Sequence, residues 1–140
     1  MASVLVTGAA GFVGGHLIEL LEQQGDDWIT AWLRPDTEVT VIGRRVGWLS
    51  VEMHDREAVH AAIAHTRPDA IYHLAGVAHV GDSWSHTHET FAGNVLATHY
   101  LFDALRASGL TPRVLVTSSA FVYAPSDCAL KETDTVRPNS

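Results

Sequence analysis

The sequence predicts an α/β fold: a doubly wound parallel sheet with helices on both faces and strand order 3-2-1-4-5. Three observations carry this. A short β-branched run, Ser3-Val4-Leu5-Val6-Thr7, ends in Gly8, Gly11 and Gly14, and an apolar helical stripe follows at once. Beyond it, short apolar runs alternate with segments of helical periodicity. Crossovers between parallel strands are right-handed almost without exception, and that rule turns five strands in this chain order into 3-2-1-4-5.

Each element has its own signal. The first strand covers 3–7, and a helix over 11–24 places Val13, Leu17, Leu20 and Leu21 on one face. Gly25 is its stop. A second strand runs over 28–33, Pro35-Asp36 reads as a turn within 34–43, and a third strand lies near 48–53. Asp55 caps a helix reaching 65, with Ala58, Val59, Ala62 and Ile63 on one side, and Pro68 ends it. The fourth strand is 70–74, and a loop follows over 76–88. The next helix, 89–107, directs Phe91, Val95, Leu101 and Leu105 inward and closes at Gly109 and Pro112. The fifth strand is 113–117, and the tail over 125–140 is turn-like. The loops after Thr7, Leu33, Met53, Leu74 and Thr117 then share one edge of the sheet, where the strand order reverses between strands one and four.

Bulk properties narrow the function. The chain has 140 residues, 46% of them apolar, enough for one domain with a real core. Mean hydropathy is +0.08, which excludes a disordered chain. No repeat, low-complexity tract or linker interrupts it. No apolar run approaches the roughly 20 residues of a membrane span, and no basic, cleavable leader stands at the N-terminus. The single cysteine, Cys128, forms no internal disulfide, which fits a cytoplasmic setting. Net charge is −7 with scattered basic residues, which disfavours a nucleic-acid partner. His86 and His88 are the closest histidine pair, but they sit in a polar stretch without a nearby cysteine, so no metal site is expected.

The glycine turn carries the chemistry. Gly8 permits a tight turn, Gly11 lets a phosphate approach the backbone, and Gly14 lets the helix pack against the sheet. The free amides of the helix start, where Phe12 and Val13 stand, and the helix dipole stabilise an anion by up to ~1 kcal/mol. Glycines also make ordinary turns, but these follow a strand and open a helix, which is the context of a dinucleotide pyrophosphate site.

With TGAAGFVG at 7–14, HLAG at 73–76, NVLAT at 94–98 and SSAFVY at 118–123, the chain resembles the extended short-chain dehydrogenase/reductases, the NAD-dependent epimerase/dehydratase family of nucleotide-sugar enzymes, over essentially all its residues. HLAGVAHVGDSW followed by ETFAGNVLAT looks most like the GDP-mannose 4,6-dehydratase and GDP-4-keto-6-deoxymannose reductase branch. The resemblance implies a Rossmann-like domain that binds NAD(P), with a nucleotide sugar as substrate. Members that take NAD usually end strand two with an acidic residue; here Arg34 stands there and favours NADP by pairing with a 2′-phosphate, with Arg44 or Arg45 as helpers. The competing reading makes Arg34 a solvated charge and lets Asp36 reach back to the ribose.

Further roles follow from the resemblance. Glu52 and Met53 stand where the family has an aspartate and an apolar residue beside the adenine, so Glu52 is a departure. Leu74, Ala75 and Gly76 would pass along the nicotinamide-side ribose, or simply suit packing under a helix. Asn94 would lie beside the cofactor crevice, or be a buried amide tying helix to strand. Thr117 and Ser118 would lie nearer the cofactor. Ser119 matches the catalytic Ser/Thr, whose hydroxyl bonds a sugar oxygen, unless it only caps its strand. Ala120 and Phe121 would wall the sugar pocket; dehydratases often carry an acid at one of these positions, so their absence favours a reductase or epimerase. Tyr123 is expected to pack, and Ala124 replaces a usual glycine. Ser83 could touch substrate, though an ordinary loop residue is the simpler reading.

The family's acid/base is a tyrosine with a lysine four residues on. The one lysine, Lys131, is preceded at that spacing by Asp127, so the pair is absent from these residues. Arg137-Pro138-Asn139-Ser140 resembles the run just before that tyrosine. The expectation is therefore the N-terminal dinucleotide-binding part of a longer enzyme, without the substrate domain and inactive alone, with strand five as an exposed edge that favours a homo-oligomer or an edge-paired dimer. The alternative is a non-catalytic dinucleotide-binding or redox-sensing module.

Overall fold

A computed structural model describes residues 2–25, 27–39, 43–78 and 80–138. Of the residues named above, His79, Asn139 and Ser140 lie outside that set, as does the side chain of Ala120. The sheet is five-stranded and parallel in the order expected, β3-β2-β1-β4-β5, built from β1 (Ser3–Thr7), β2 (Trp28–Leu33), β3 (Val46–Ser50), β4 (Ala70–His73) and β5 (Arg113–Val116). The helices are α1 (Phe12–Gln24), α2 (Arg56–Thr66), the short α3 (Val80–Ser83), α4 (Thr87–Phe91) and α5 (Ala97–Ser108). A π-helical turn, Ala92–Leu96, joins α4 to α5.

Alternation along the strands makes two cores. Leu5, Trp32 and Ile71 face α2 and α5 and join Val59, Ile63, Leu101 and Leu105. Val4, Val6, Ile29 and Ala31 face α1 and join Ile18. Each such fully buried aliphatic side chain stabilises the fold by about 1.5–3 kcal/mol.

The local stops are physical. The Asp55 carboxylate accepts from the Glu57 and Ala58 amides at 2.9 and 3.1 Å and starts α2. Arg67 ends α2 in the left-handed region (φ 42°) just before Pro68. Gly109 (φ 66°) does the same for α5, its N–H directed at the Leu105 and Arg106 carbonyls.

Four expectations need correction. Strand three begins at Val46 and ends at Ser50, so Val51, Glu52 and Met53 lie beyond it; Val51 still donates to the Leu33 carbonyl at 2.9 Å, which extends the strand pattern without extending the strand. On α1 the buried residues are Gly14 and Ile18, with Leu17 and Leu21 packed at the margin, while Val13 and Leu20 are exposed, because the glycine draws the helix against the turn and sets its rotation. The segment 76–88 contains α3 and the start of α4. Phe91 and Val95 are 51% and 49% exposed; the wider π turn advances the inward face through Gly93, Ala97 and Leu101 instead. The tail also pairs back onto the residues just before it. Tyr123 and Val136 form an antiparallel bridge, with Ala124 donating to Thr135 and Arg137 to Val122, both at 2.9 Å.

Candidate functional site

The C-terminal ends of β1, β2, β4 and β5 and the start of α1 form one edge, and the glycine turn is its centre. Gly8 has φ +66°, and a β-carbon on it would stand 2.8 Å from the Ala75 nitrogen and the Leu74 carbonyl carbon. Both the left-handed backbone and the close approach of the segment after β4 therefore require glycine. A β-carbon on Gly14 would meet the Gly8 carbonyl oxygen at 2.4 Å. At Gly11 only that same oxygen is near, at 3.2 Å, so its open side faces outward. Gly11 caps α1 without a side-chain hydrogen bond, and no acidic residue stands in the first turn. Among the described residues no side chain caps the first amides of α1, which suits them to an outside partner.

The segment Leu74–Val77 lies against this turn and is fixed at two points. At one end the Ala75 N–H donates to Thr7 Oγ1 at 3.1 Å. At the other the Asn94 amide grips the Val77 backbone: Oδ1 accepts from the Val77 N–H at 2.9 Å, and Nδ2 donates to the Val77 carbonyl at 3.2 Å. Gly76 and Gly93 make room, since β-carbons there would stand 2.7 Å from Asn94 Oδ1 and from Val77 Cγ2. Asn94 does tie its helix to the segment after β4, but it is exposed rather than buried and sits on the π turn.

Beneath the segment lies a polar group that the sequence reading did not single out. Thr7 and His73 are opposite in the β1–β4 register, and both are buried, at 0% and 1% exposure. Thr7 Oγ1 is 2.8 Å from His73 Nδ1, His73 Nε2 is 2.9 Å from Thr98 Oγ1, and Thr98 Oγ1 donates to the Asn94 carbonyl at 2.8 Å. Burial lowers the His73 pKa below the usual histidine value of 6.5, so the ring is neutral. The available signal was a polar residue at the end of each of two adjacent apolar strands.

The other expected site residues are placed as follows. Thr117 donates to the His73 carbonyl at 3.3 Å from both its N–H and its hydroxyl, which brings the end of β5 to the same edge. Ser118 and Ser119 follow it and are exposed; Ser119 Oγ accepts from the Phe121 N–H at 3.2 Å, in the turn that opens the 3-10 segment Ala120–Val122. Phe121 is exposed beside it. Arg34 is exposed directly after β2, and among the described residues no carboxylate pairs with it. Asp36, two residues on, has φ +62°. Glu52 is half-buried and turns one oxygen to its own loop, accepting from the His54 N–H at 3.0 Å, while Met53 belongs to the core under α2 and α5. Ser83 is the last residue of the short α3, so the expected loop is helical at that point. Among the described residues no three His, Cys, Asp or Glu side chains gather as a metal set, and no helix is long and apolar enough to cross a membrane.

Comparison with known proteins agrees with this geometry. A UDP-glucose 4-epimerase of Erwinia amylovora is 30% identical over 128 residues, covering 86% of this chain and 38% of that protein. The crystal structure of a UDP-glucose-4-epimerase from Stenotrophomonas maltophila, with bound NAD and formylated UDP-arabinopyranose, matches at TM-score 0.84 and 26% identity over 98% of this chain and 43% of the other. The UDP-glucose 4-epimerase of Brucella ovis in complex with NAD matches at TM-score 0.85 and 28% identity, over 99% and 42%. The chain thus spans about two fifths of the length of these relatives. The model of the NAD dependent epimerase/dehydratase family matches residues 4–140, and the chain belongs to that family.

Proposed function

We propose that this chain is the dinucleotide-binding part of a nucleotide-sugar enzyme, an epimerase in kind, that moves hydride between nicotinamide and a sugar carbon. The observation that carries the reading is the cradle at the start of α1. Gly8 and Gly14 have no space for a β-carbon, Gly11 is open outward, and the first amides of α1 lack a side-chain cap. Such a cradle fits a pyrophosphate.

In this reading Gly8, Gly11, Phe12, Val13 and Gly14 hold the diphosphate, and Glu52 and Met53 flank the adenine. Leu74, Ala75 and Gly76 pass under the nicotinamide-side ribose on the segment that Asn94 secures, with Thr117 and Ser118 across from them. When bound, nicotinamide supplies the acceptor and donor of hydride. Ser119 hydrogen-bonds a sugar oxygen, and Ala120, Phe121 and Ser83 border the sugar. No Tyr-x-x-x-Lys occurs in these residues, so the chain alone does not turn over. The similar proteins named above are UDP-glucose 4-epimerases, which supports a UDP-sugar over the GDP-mannose branch.

The finer reading of the cofactor is NADP over NAD, through the exposed Arg34 directly after β2. The NAD in two similar structures supports the opposite preference. Fluorescence titration with NADPH and NADH, with circular dichroism on the same sample, tests both levels. Saturable binding of either supports the site. Preference for NADPH that is lost in Arg34→Ala supports the finer reading, and equal or stronger NADH binding removes it. A folded chain that binds neither overturns the proposed function.

A further inference from the structure

The hydrogen bonds around His73 admit one consistent set of directions. The Ala75 N–H can only donate, so Thr7 Oγ1 accepts there and has its own proton left for His73 Nδ1. Thr98 gives its proton to the Asn94 carbonyl, so its oxygen accepts from His73 Nε2–H. Every donor in the chain from Ala75 to Asn94 then meets an acceptor. A ring protonated on Nδ1 instead would set an unprotonated Nε2 against the Thr98 oxygen, whose proton is already given to Asn94, and leave the Thr7 proton without its acceptor.

The two ends of this chain are the two anchors of Leu74–Val77. Thr7 holds Ala75, and the π turn whose Asn94 carbonyl receives the Thr98 proton carries the amide that grips Val77. His73 stands behind both and is the last residue of β4, directly before the segment.

We propose that His73 is the positioning residue of Leu74–Val77: a single imidazole protonated on Nε2 keeps β1, β4 and α5 in one register and so holds that segment at the height a bound dinucleotide needs. This rests on reading 74–77 as the stretch under the nicotinamide-side ribose. ADP would engage the glycine turn but not this segment, whereas NADH would engage both. Loss of the register therefore weakens NADH selectively. A general loss of stability would not separate the two ligands.

The test uses the whole chain and four variants: Thr98→Val and Thr7→Val, which keep shape and remove the hydroxyl, and Thr98→Ser and Thr7→Ser, which restore it. Binding of ADP and of NADH is measured by calorimetry. The valine variants are expected to hold ADP within about twofold and to weaken NADH about tenfold, as the loss of one buried hydrogen bond implies, with the serine variants near the parent. Parent binding of both ligands with no selective loss in the valine variants overturns the positioning role and leaves the proposed function standing. A folded parent that binds neither ligand overturns both. The 15N resonances of the His73 ring decide without any variant: a neutral, Nε2-protonated ring is expected, and an Nδ1-protonated ring overturns the proposal.

Discussion

A β-carbon on Gly14 would lie 2.4 Å from the carbonyl oxygen of Gly8, and 2.7 Å from the Ala9 α-carbon. Both obstacles are backbone, so neither can rotate away. Gly14→Ala is expected to push α1 off the turn and cost about 1–3 kcal/mol, the usual penalty of overpacking. Gly11→Ala is the contrast. Its new methyl meets only the Gly8 oxygen at 3.2 Å, so the fold should survive while the methyl blocks the approach to the helix start. Urea unfolding paired with ADP titration separates the two: Gly14→Ala lowers the midpoint, and Gly11→Ala lowers affinity at a nearly unchanged midpoint.

Asp55 offers a stability change with no functional echo. Its carboxylate satisfies two amides of the first turn of α2, on the face of the sheet remote from α1. Asp55→Ala is expected to cost about 1 kcal/mol and Asp55→Ser much less. ADP affinity should stay unchanged in both, by the same titration.

Among the described residues β5 pairs with β4 alone, and Leu115 and Val116 on it are 49% and 44% exposed. An open apolar strand is a template for pairing with another. Sedimentation of this chain is expected to depend on concentration, and Val116→Lys to bring it toward the monomer. A parent that sediments as a monomer at every concentration would refute this.

The strand order, the glycine turn and the Asp55 cap were legible because each has a local cause: periodicity, backbone conformation or a short-range hydrogen bond. Gly8 shows this well, since its left-handed backbone and the strand before it are both written in neighbouring residues. The misplaced faces have non-local causes. Phe91 and Val95 follow a regular helical period on paper, and only the π turn at Ala92–Leu96 rotates them outward. The bridge between Tyr123 and Val136 joins two short runs that show no period of their own. At the site, Gly76 and Asn94 were each visible as residues of a family pattern, but their meeting at Val77 depends on packing between β4 and the π turn. The Thr7–His73–Thr98 group is further from view still, because it needs the register of two strands and a helix at once.

Acid should lower the stability of the chain over two separable pH ranges. Burial keeps His73 neutral in the fold, whereas the unfolded chain takes up a proton there as pH falls through 6.5. Its contribution is complete above that value and declines below it. Asp103 acts lower on the scale. Its carboxylate is 10% exposed and receives Arg106 at 2.8 Å, Arg56 at 2.6 Å and His60 at 3.1 Å, which joins α2 to α5. The Arg106 hydrogen bond first, then those of Arg56 and His60, hold its pKa well below the ordinary 3.8. The folded chain thus binds fewer protons here than the unfolded one, and this contribution is present above pH 3.8 and lost as pH falls below it. Asp103→Asn should lower the melting temperature at neutral pH and flatten the decline below pH 4, while leaving the decline that begins near 6.5 in place. Melting curves of both proteins from pH 8 to pH 3 check this: parallel profiles through the acid range would mean that the Arg56–Asp103–Arg106 cluster contributes nothing that protonation can remove.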